Sequence, residues 1–430
     1  MVSRARVAFV SPSGFGNLGD AAIIDSLIAG IRRRLPDAEI VGFTLNPSDT
    51  SARHGVEAGT CGAYSLPHYP IRRAARGPDA PTGEPPPPPS FVRRTVGALP
   101  GARRSRDAAR FAVAELRHRR EIAARIRGFD HVVIAGGGQL DELWGGPFGH
   151  PYTLYRWSRA ARRAGAQFVV LSVGTGTLAT RLGRMFVART LAASAYHSFR
   201  DARSRELAVP AGAAPGDPIV PDLAYGLTVP LPPASARVRT RRAIGVAPMC
   251  YADPRVWPKP DAARYAHHIA SMAEIATRAA AAGHDVVLFG TDTPDRDPVA
   301  ECHARTLAAL DDAGRARVQR IVPQYTGELM TLLQSLDVVV AARFHGVLLA
   351  HVAGKPVLAV SHERKVATLM SELGQDAYCA PIDALDPAAA SALIDQLLHD
   401  GAIEQAIRAQ AADHRRRVEA QYDRVFGSAA

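Results

Sequence analysis

The sequence predicts an α/β protein of two Rossmann-like domains facing a cleft. Three observations carry that expectation. Short apolar runs alternate with stretches of helical periodicity, the pattern of strand–helix units around largely parallel sheets. Glycine-rich turns follow several of the apolar runs. A proline- and arginine-rich join at 230–242 divides the alternation into two halves. The chain has 430 residues and is 47% hydrophobic, enough for two sizeable cores.

In the first half, 1–230, strands are expected at 7–10, 39–45, 131–135, 168–173 and 197–200, with a further short one at 218–220. Helices are expected at about 20–35, 105–127, 151–164, 180–194 and 202–208. An insert at about 77–127 interrupts this domain. It opens with a proline-rich loop, 77–90, that holds five consecutive prolines and can be neither helix nor central strand. In the second half, 243–400, strands are expected at 243–247, 285–289, 320–322, 338–341 and 356–360. Helices alternate with them at about 261–282, 298–310, 326–336, 345–353 and 364–373. The stretch 387–426 reads as two helices, with 401–430 a helical tail.

The formal net charge is +11, and it is concentrated. Between Phe91 and Arg127 stand eleven arginines against Asp107, Glu115 and Glu121, a net +8. A solvated arginine face accounts for such a run, and contact with an anionic membrane surface is the more specific reading. Phe111 is the only aromatic residue inside the segment and no nucleic-acid motif surrounds it, so no nucleic-acid partner is expected. The four cysteines are scattered, which suggests neither a zinc site nor a disulfide framework and fits a reducing cytoplasm. The longest apolar tract, 338–360, contains Arg343, His345, His351 and Lys355, which argues against a membrane span.

Chemistry is expected at the strand ends. The first constellation is Ser13-Gly14-Phe15-Gly16-Asn17-Leu18-Gly19-Asp20, a glycine-rich turn from strand to helix with Asp20 at the expected N-cap. Its backbone N–H groups and the positive helix end favour an anion. Gly136-Gly137-Gly138-Gln139 follows the strand at 131–135, with Trp144 and His150 beyond it. Gly174 and Gly176 follow the next strand. Arg200-Asp201 lies at another strand end, where an arginine can grip a carboxylate or phosphate with two hydrogen bonds. Arg343 and His345 follow the strand at 338–341, and Lys365 follows the one at 356–360, so the three share a rim. The loop 291–298, with Asp292, Asp295 and Asp297, reads as a solvated turn or a weak cation site. There is no P-loop, HExxH or GxSxG motif.

Taken together, these pieces resemble the polysaccharide pyruvyl transferases. The resemblance rests on 16–23, on 136–138 before Gln139, on Val173-Gly174, on 198–201 with Ser204, on Pro221-Asp222, and on Arg343-Phe344-His345-Gly346. It covers about 5–230 and 243–375. It implies a fold similar to the GT-B glycosyltransferases. It also implies transfer of a pyruvyl group from phosphoenolpyruvate to two hydroxyls of a sugar as a cyclic ketal, in cell-surface or exopolysaccharide biosynthesis. Arg200, Arg343 and Lys365 match positions that the family uses around the donor. His345 matches its acid/base histidine, with Arg343 beside it, and Asn17 and Asp20 match its N-terminal signature. Lys365 departs from a Tyr-x-x-Lys context, being preceded here by Ser361-His362-Glu363-Arg364. The implied partners are phosphoenolpyruvate as co-substrate and a sugar acceptor that is lipid-linked in one version of the scheme. No cofactor and no metal are called for. The same cleft would also suit a nucleotide-sugar glycosyltransferase or a non-catalytic sugar- or anion-binding relative.

Overall fold

The computed structural model describes residues 4–62, 102–143, 145–228 and 241–427. The proline-rich loop 77–90, Arg93, Arg94, Trp144 and nearly all of the join 230–242 lie outside the described residues.

The first domain is a six-stranded parallel sheet. Its strands are β1 (Arg6–Val10), β2 (Glu39–Thr44), β3 (Glu57–Thr60), β4 (His131–Ala135), β5 (Gln167–Val173) and β6 (Tyr196–Phe199), in the order β3-β2-β1-β4-β5-β6. Strand β1 is central, pairing Val7 with Ile40 on one side and with His131 on the other. Helices cover both faces, so Val7, Ala8, Phe9 and Val10 are all buried and the strand reads as an unbroken apolar run. The helices are α1 (Leu18–Arg34), α2 (Pro47–His54), α3 (Ala102–Arg125), α4 (His150–Ala164), α5 (Arg181–Ala193) and α6 (Ala202–Ala208).

The second domain repeats the plan. Its strands are β7 (Ala243–Ala247), β8 (Asp285–Phe289), β9 (Val318–Ile321), β10 (Val338–Ala341), β11 (Val357–Ser361) and β12 (Cys379–Pro381), in the order β12-β11-β10-β7-β8-β9. Its helices are α7 (Ala262–Ala281), α8 (Arg296–Ala308), the single turn α9 (Asp312–Arg315), α10 (Thr326–Gln334), α11 (Phe344–Val352), α12 (Arg364–Glu372) and α13 (Pro387–His399).

The last helix, α14 (Gly401–Phe426), crosses back to the first domain. The Tyr422 hydroxyl lies 3.0 Å from Ser26 Oγ of α1, and Ser198 Oγ of β6 donates to Gln421 Oε1 at 2.5 Å. Arg34 completes the contact, pairing with Glu419 and Asp423. Helix α1 is therefore enclosed by its own sheet, by α10 and α11 of the other domain, and by α14. That explains why Ile23, Ile24, Leu27, Ile28 and Ile31 are all buried. One apolar cluster runs from Phe9 through Leu27 to Val347 and Tyr422, joining the two domains.

Several expectations are corrected. Asp20 is not the N-cap. The helix starts two residues earlier, and Asn17 Oδ1 accepts from the N–H groups of Gly19 at 2.9 Å and Asp20 at 3.1 Å. That places Asp20 inside the first turn. Residues 218–220 form only a bridge, Ile219 to Phe199, because the chain touches the sheet edge in passing. The strand expected at 320–322 starts earlier, at Val318. Strands β3 and β12 and helix α2 are additions to the expected set.

Candidate active site

The loops after β1, β4, β5 and β6 face those after β8, β10 and β11 across a cleft. They enclose a cavity of about 860 Å³. This is the position that parallel open sheets give their ligands, at the carboxyl ends of the strands.

The two halves interlock at the floor. The Leu18 N–H donates to the carbonyl of Thr291 at 3.0 Å, and the Asn17 amide donates to Asp292 Oδ2 at 3.2 Å. A side chain at Gly16 would overlap Thr293, and one at Gly19 would overlap the ring of His345. Gly19 thus has a steric reason to lack a Cβ: the histidine of the facing domain occupies that space.

His345 sits in the first turn of α11 and lines the cavity. Its Nε2 is buried without a hydrogen-bond partner. Burial, then the positive charges of Arg200, Lys365 and Arg343, push its pKa down to about 3. At neutral pH it is an uncharged base surrounded by cations.

The three expected cations are all on the wall of this cavity, but they are held differently. Arg200 follows β6 directly. Its guanidinium lies 4.6 Å from the centre of the Phe344 ring and close against Gly174, where a Cβ would crowd it. Its Nε donates to Asp201 at 3.1 Å, and Asp222 stands 3.9 Å from its Nη1. Lys365, nearly half exposed, pairs with Glu363 at 2.8 Å. Burial opposes ionisation of Glu363, but His362 and Lys365 hold its pKa down at about 2. Arg343 differs from both. Its Nε and Nη2 donate to the two oxygens of Asp295 at 2.6 and 2.7 Å, and its Nη1 lies 3.3 Å from Asp292. Arg343 thus braces the loop that leads to His345 while still lining the cavity, and a direct grip on a donor would compete with these ion pairs.

The same carboxylates correct the reading of 291–298 as a solvated turn. Asp295 is completely buried, and it also accepts from the Cys250 N–H at 3.1 Å. Asp292 is held in the cavity wall, where burial raises its pKa to about 6 despite Arg343. Asp20 also lines the cavity. Burial, with Asp292 and Asp222 nearby, raises its pKa to about 7 against the pull of Lys365 and Arg343. Among the described residues, no group of three or more His, Cys, Asp or Glu side chains is arranged to hold a metal ion.

The glycine turns fall where expected. Gly136 and Gly137 have positive φ and turn the chain away from β4, and Gly138 and Gly174 line the cavity. Gln139 does not reach the cavity wall. Its amide folds back onto the Gly136 carbonyl at 2.6 Å. The sequence reading passed over Asp141 and Glu142, and the structure brings both to the cavity with His150. Asp141 Oδ1 lies 3.9 Å from His150 Nδ1, and both histidine nitrogens are buried without hydrogen-bond partners. Burial lowers the His150 pKa and raises that of Asp141. Glu142 holds the start of α5, accepting from the N–H groups of Ala179 and of the N-cap Thr180, each at 3.0 Å. No sequence signal marks either residue, because only the turn of the chain after β4 brings them to the cavity.

Comparison with known proteins agrees with this architecture. A family model described as polysaccharide pyruvyl transferase matches residues 17–364. No curated protein sequence matches the chain. Among solved structures, a protein described as a UDP-N-acetylglucosamine 2-epimerase from Listeria monocytogenes superposes with a TM-score of 0.60 at 12% identity, covering 98% of this chain and 96% of that one. The UDP-GlcNAc 2-epimerase from Neisseria meningitidis, bound to UDP-GlcNAc, gives 0.56 at 10% identity, with 98% and 99% covered. The spinosyn rhamnosyltransferase SpnG in complex with spinosyn aglycone gives 0.53 at 13%, with 97% and 99% covered. At these identities the likeness is one of fold, the GT-B type of two Rossmann-like domains. Among the described residues, no helix is long and apolar enough to cross a membrane.

Proposed function

Because the chain belongs to the polysaccharide pyruvyl transferase family and is therefore a transferase acting on a sugar acceptor, we propose that its pyruvyl donor is phosphoenolpyruvate and its product a cyclic ketal on two hydroxyls of that sugar. One observation supports this reading best. His345 is a neutral, unpartnered base inside a cavity whose walls carry Arg200 and Lys365. Phosphoenolpyruvate brings a carboxylate and a phosphate, and two cations on the cavity wall suit that pair of anions.

The reaction breaks the bond between the enol carbon and the phosphate oxygen and forms two carbon–oxygen bonds to the acceptor. Two hydroxyl protons leave the sugar. One proton is gained by the methylene carbon, which becomes a methyl group, and one departs with phosphate. The methylene carbon must be protonated as the first hydroxyl adds. His345 is uncharged at neutral pH and so free to take a hydroxyl proton; a pKa near 3 makes it a weak base until the anionic donor offsets the cations around it. Asp20, near 7, holds a proton part of the time at neutral pH, the property the acid step requires. Arg200 and Lys365 stabilise the leaving phosphate. This scheme uses no cofactor and no metal. We infer further that the enzyme works in the cytoplasm, a setting its scattered free cysteines fit, in the building of a cell-surface or exopolysaccharide.

The test is release of phosphate from phosphoenolpyruvate in the presence of lipid-linked and nucleotide-linked sugars. Acceptor-dependent release, with a product heavier by one ketal-bound pyruvyl group, is expected. Consumption of a nucleotide sugar with phosphoenolpyruvate untouched would replace this reading with that of a glycosyltransferase.

A further inference from the structure

A second concavity, of about 490 Å³, lies on the outer side of the first domain between α3 and α4. Arg119 and Arg127 line it from the α3 side, and Tyr152, Tyr155, Arg159 and Arg163 from α4. These four arginines are exposed. The charge is poorly compensated. Helix α4 carries no acidic residue. On α3, Glu115 is taken by Arg156 and Tyr152, and Glu121 lies 3.6 Å from His118. Cations crowd even the tyrosine: Arg159 donates to the Tyr155 hydroxyl at 3.2 Å, and Arg159 and Arg189 both lie within about 6 Å of its ring. Burial opposes ionisation of that hydroxyl, yet hydrogen bonds from the two arginines lower its pKa.

Exposed apolar side chains stand near in sequence to the elements that line the groove, Val113 and Leu116 within two turns of Arg119 on α3. On α3, Val113 is 61% and Leu116 52% exposed. In the segment ahead of α4, Leu143 is 75% and Phe148 43% exposed. Arginines interleaved with uncovered aliphatic and aromatic side chains form the surface that binds an anionic bilayer, with cations at the headgroups and apolar groups below them. A nucleic-acid surface would leave Val113 and Leu116 without a role.

We propose that the α3–α4 groove docks the protein on a bilayer surface rich in anionic phospholipid. The geometry gives the docking a use. Leu143 lines the mouth of the active-site cavity, and Phe148 packs on Tyr152 of the groove with ring centres 5.7 Å apart. Helix α4 starts at His150 in the cavity wall and reaches Arg163 in the groove, a run of roughly 20 Å at the helical rise per residue. A bilayer held there brings the cavity mouth to the headgroup layer, where a lipid-linked sugar presents its hydroxyls. The docking stands on the surface alone, while this use of it rests on the transferase reading above.

Full-length protein is sedimented with vesicles of phosphatidylcholine, and with vesicles that also contain phosphatidylglycerol, at low and high salt. Binding only to the anionic vesicles, weakened by salt, is expected. The double variant Arg119→Glu/Arg163→Glu should lower the partition coefficient roughly tenfold or more, since each basic group near such a surface contributes about a fivefold factor. Val113→Ser/Leu116→Ser should weaken binding at every salt concentration. All four positions are exposed, so thermal melting of the variants should match that of the parent. Equal binding to neutral vesicles, or no binding, overturns the proposal. Duplex RNA retained as tightly as the vesicles, with the serine variant unaffected, also overturns it and makes the groove a polyanion site. If the vesicles bind as expected but phosphoenolpyruvate is not turned over, the transferase reading fails and the docking stands.

Discussion

The ring of His345 fills the space that a side chain at Gly19 would occupy, so a histidine of one domain is seated against the backbone of the other. The smallest change at Gly19 therefore acts directly on the candidate base. Gly19→Ala should lower kcat by ~100-fold, the range expected when a general base is misplaced. His345→Ala should cost at least as much, and the double variant should be no slower than His345→Ala alone. A double variant showing the product of the two losses would mean that Gly19 acts independently of the ring.

Proton transfer and hydrogen bonding by His345 are separable. His345→Gln keeps a hydrogen-bonding side chain but cannot carry a proton, so it should be as inactive as the alanine variant while its melting temperature stays near that of the parent. A glutamine variant with most of its turnover intact would assign the ring to packing.

The pH profile should be set by Asp20 on its alkaline side. With a pKa near 7, Asp20 loses its proton as pH rises through neutrality, so turnover should fall there. His345, near 3, is already deprotonated and contributes no acid limb between pH 5 and 8. Stability follows the same group. The folded pKa lies above the ordinary aspartate value of about 3.9, so the folded state binds more protons between that value and 7, and stability falls as pH rises across the window. Asp20→Asn should remove both effects: it should melt higher than the parent at pH 8, melt alike at pH 4, and lack the alkaline limb. A parent profile flat from pH 6 to 8 would rule out Asp20 as the acid.

Arg200 and Arg343 should separate in their effects. Arg200→Ala should weaken phosphoenolpyruvate binding by ~2 kcal/mol, read by calorimetric titration, and destabilise less than the loss of Arg343, because backbone N–H groups still hold Asp201 and Asp222. Arg343→Ala leaves Asp295 buried without its ion pair and should lower stability by about 3–5 kcal/mol. Equal loss of donor affinity in both variants, with neither destabilised, would return Arg343 to the donor grip.

Most of the site was legible because it lies where apolar strands stop. Asn17, Gly138, Gly174, Arg200, His345 and Lys365 line the cavity, and all follow apolar runs that read as buried parallel strands. What was not legible depends on contacts distant in sequence. The loop at 291–298 looks solvated by composition, yet Arg343 buries Asp295 and Asn17 reaches Asp292. Strands β3 and β12 are short edge strands with little apolar patterning, Glu57–Thr60 and Cys379–Pro381. Helix α2 did carry a signal, Asn46 capping a helix with Pro47 in its first turn, but it has few apolar residues to mark it.

The seating of His345 on Gly19 also bears on how the sequence can drift. The two positions are more than three hundred residues apart in the chain, yet Gly19 cannot grow while the histidine ring is in place. The turn at 16–20 and the turn at 343–346 are therefore one unit of inheritance. A larger residue at Gly19 becomes tolerable only after the histidine has gone, and with it the reason for the glycine. Relatives that have lost the histidine are where the glycine should first begin to vary.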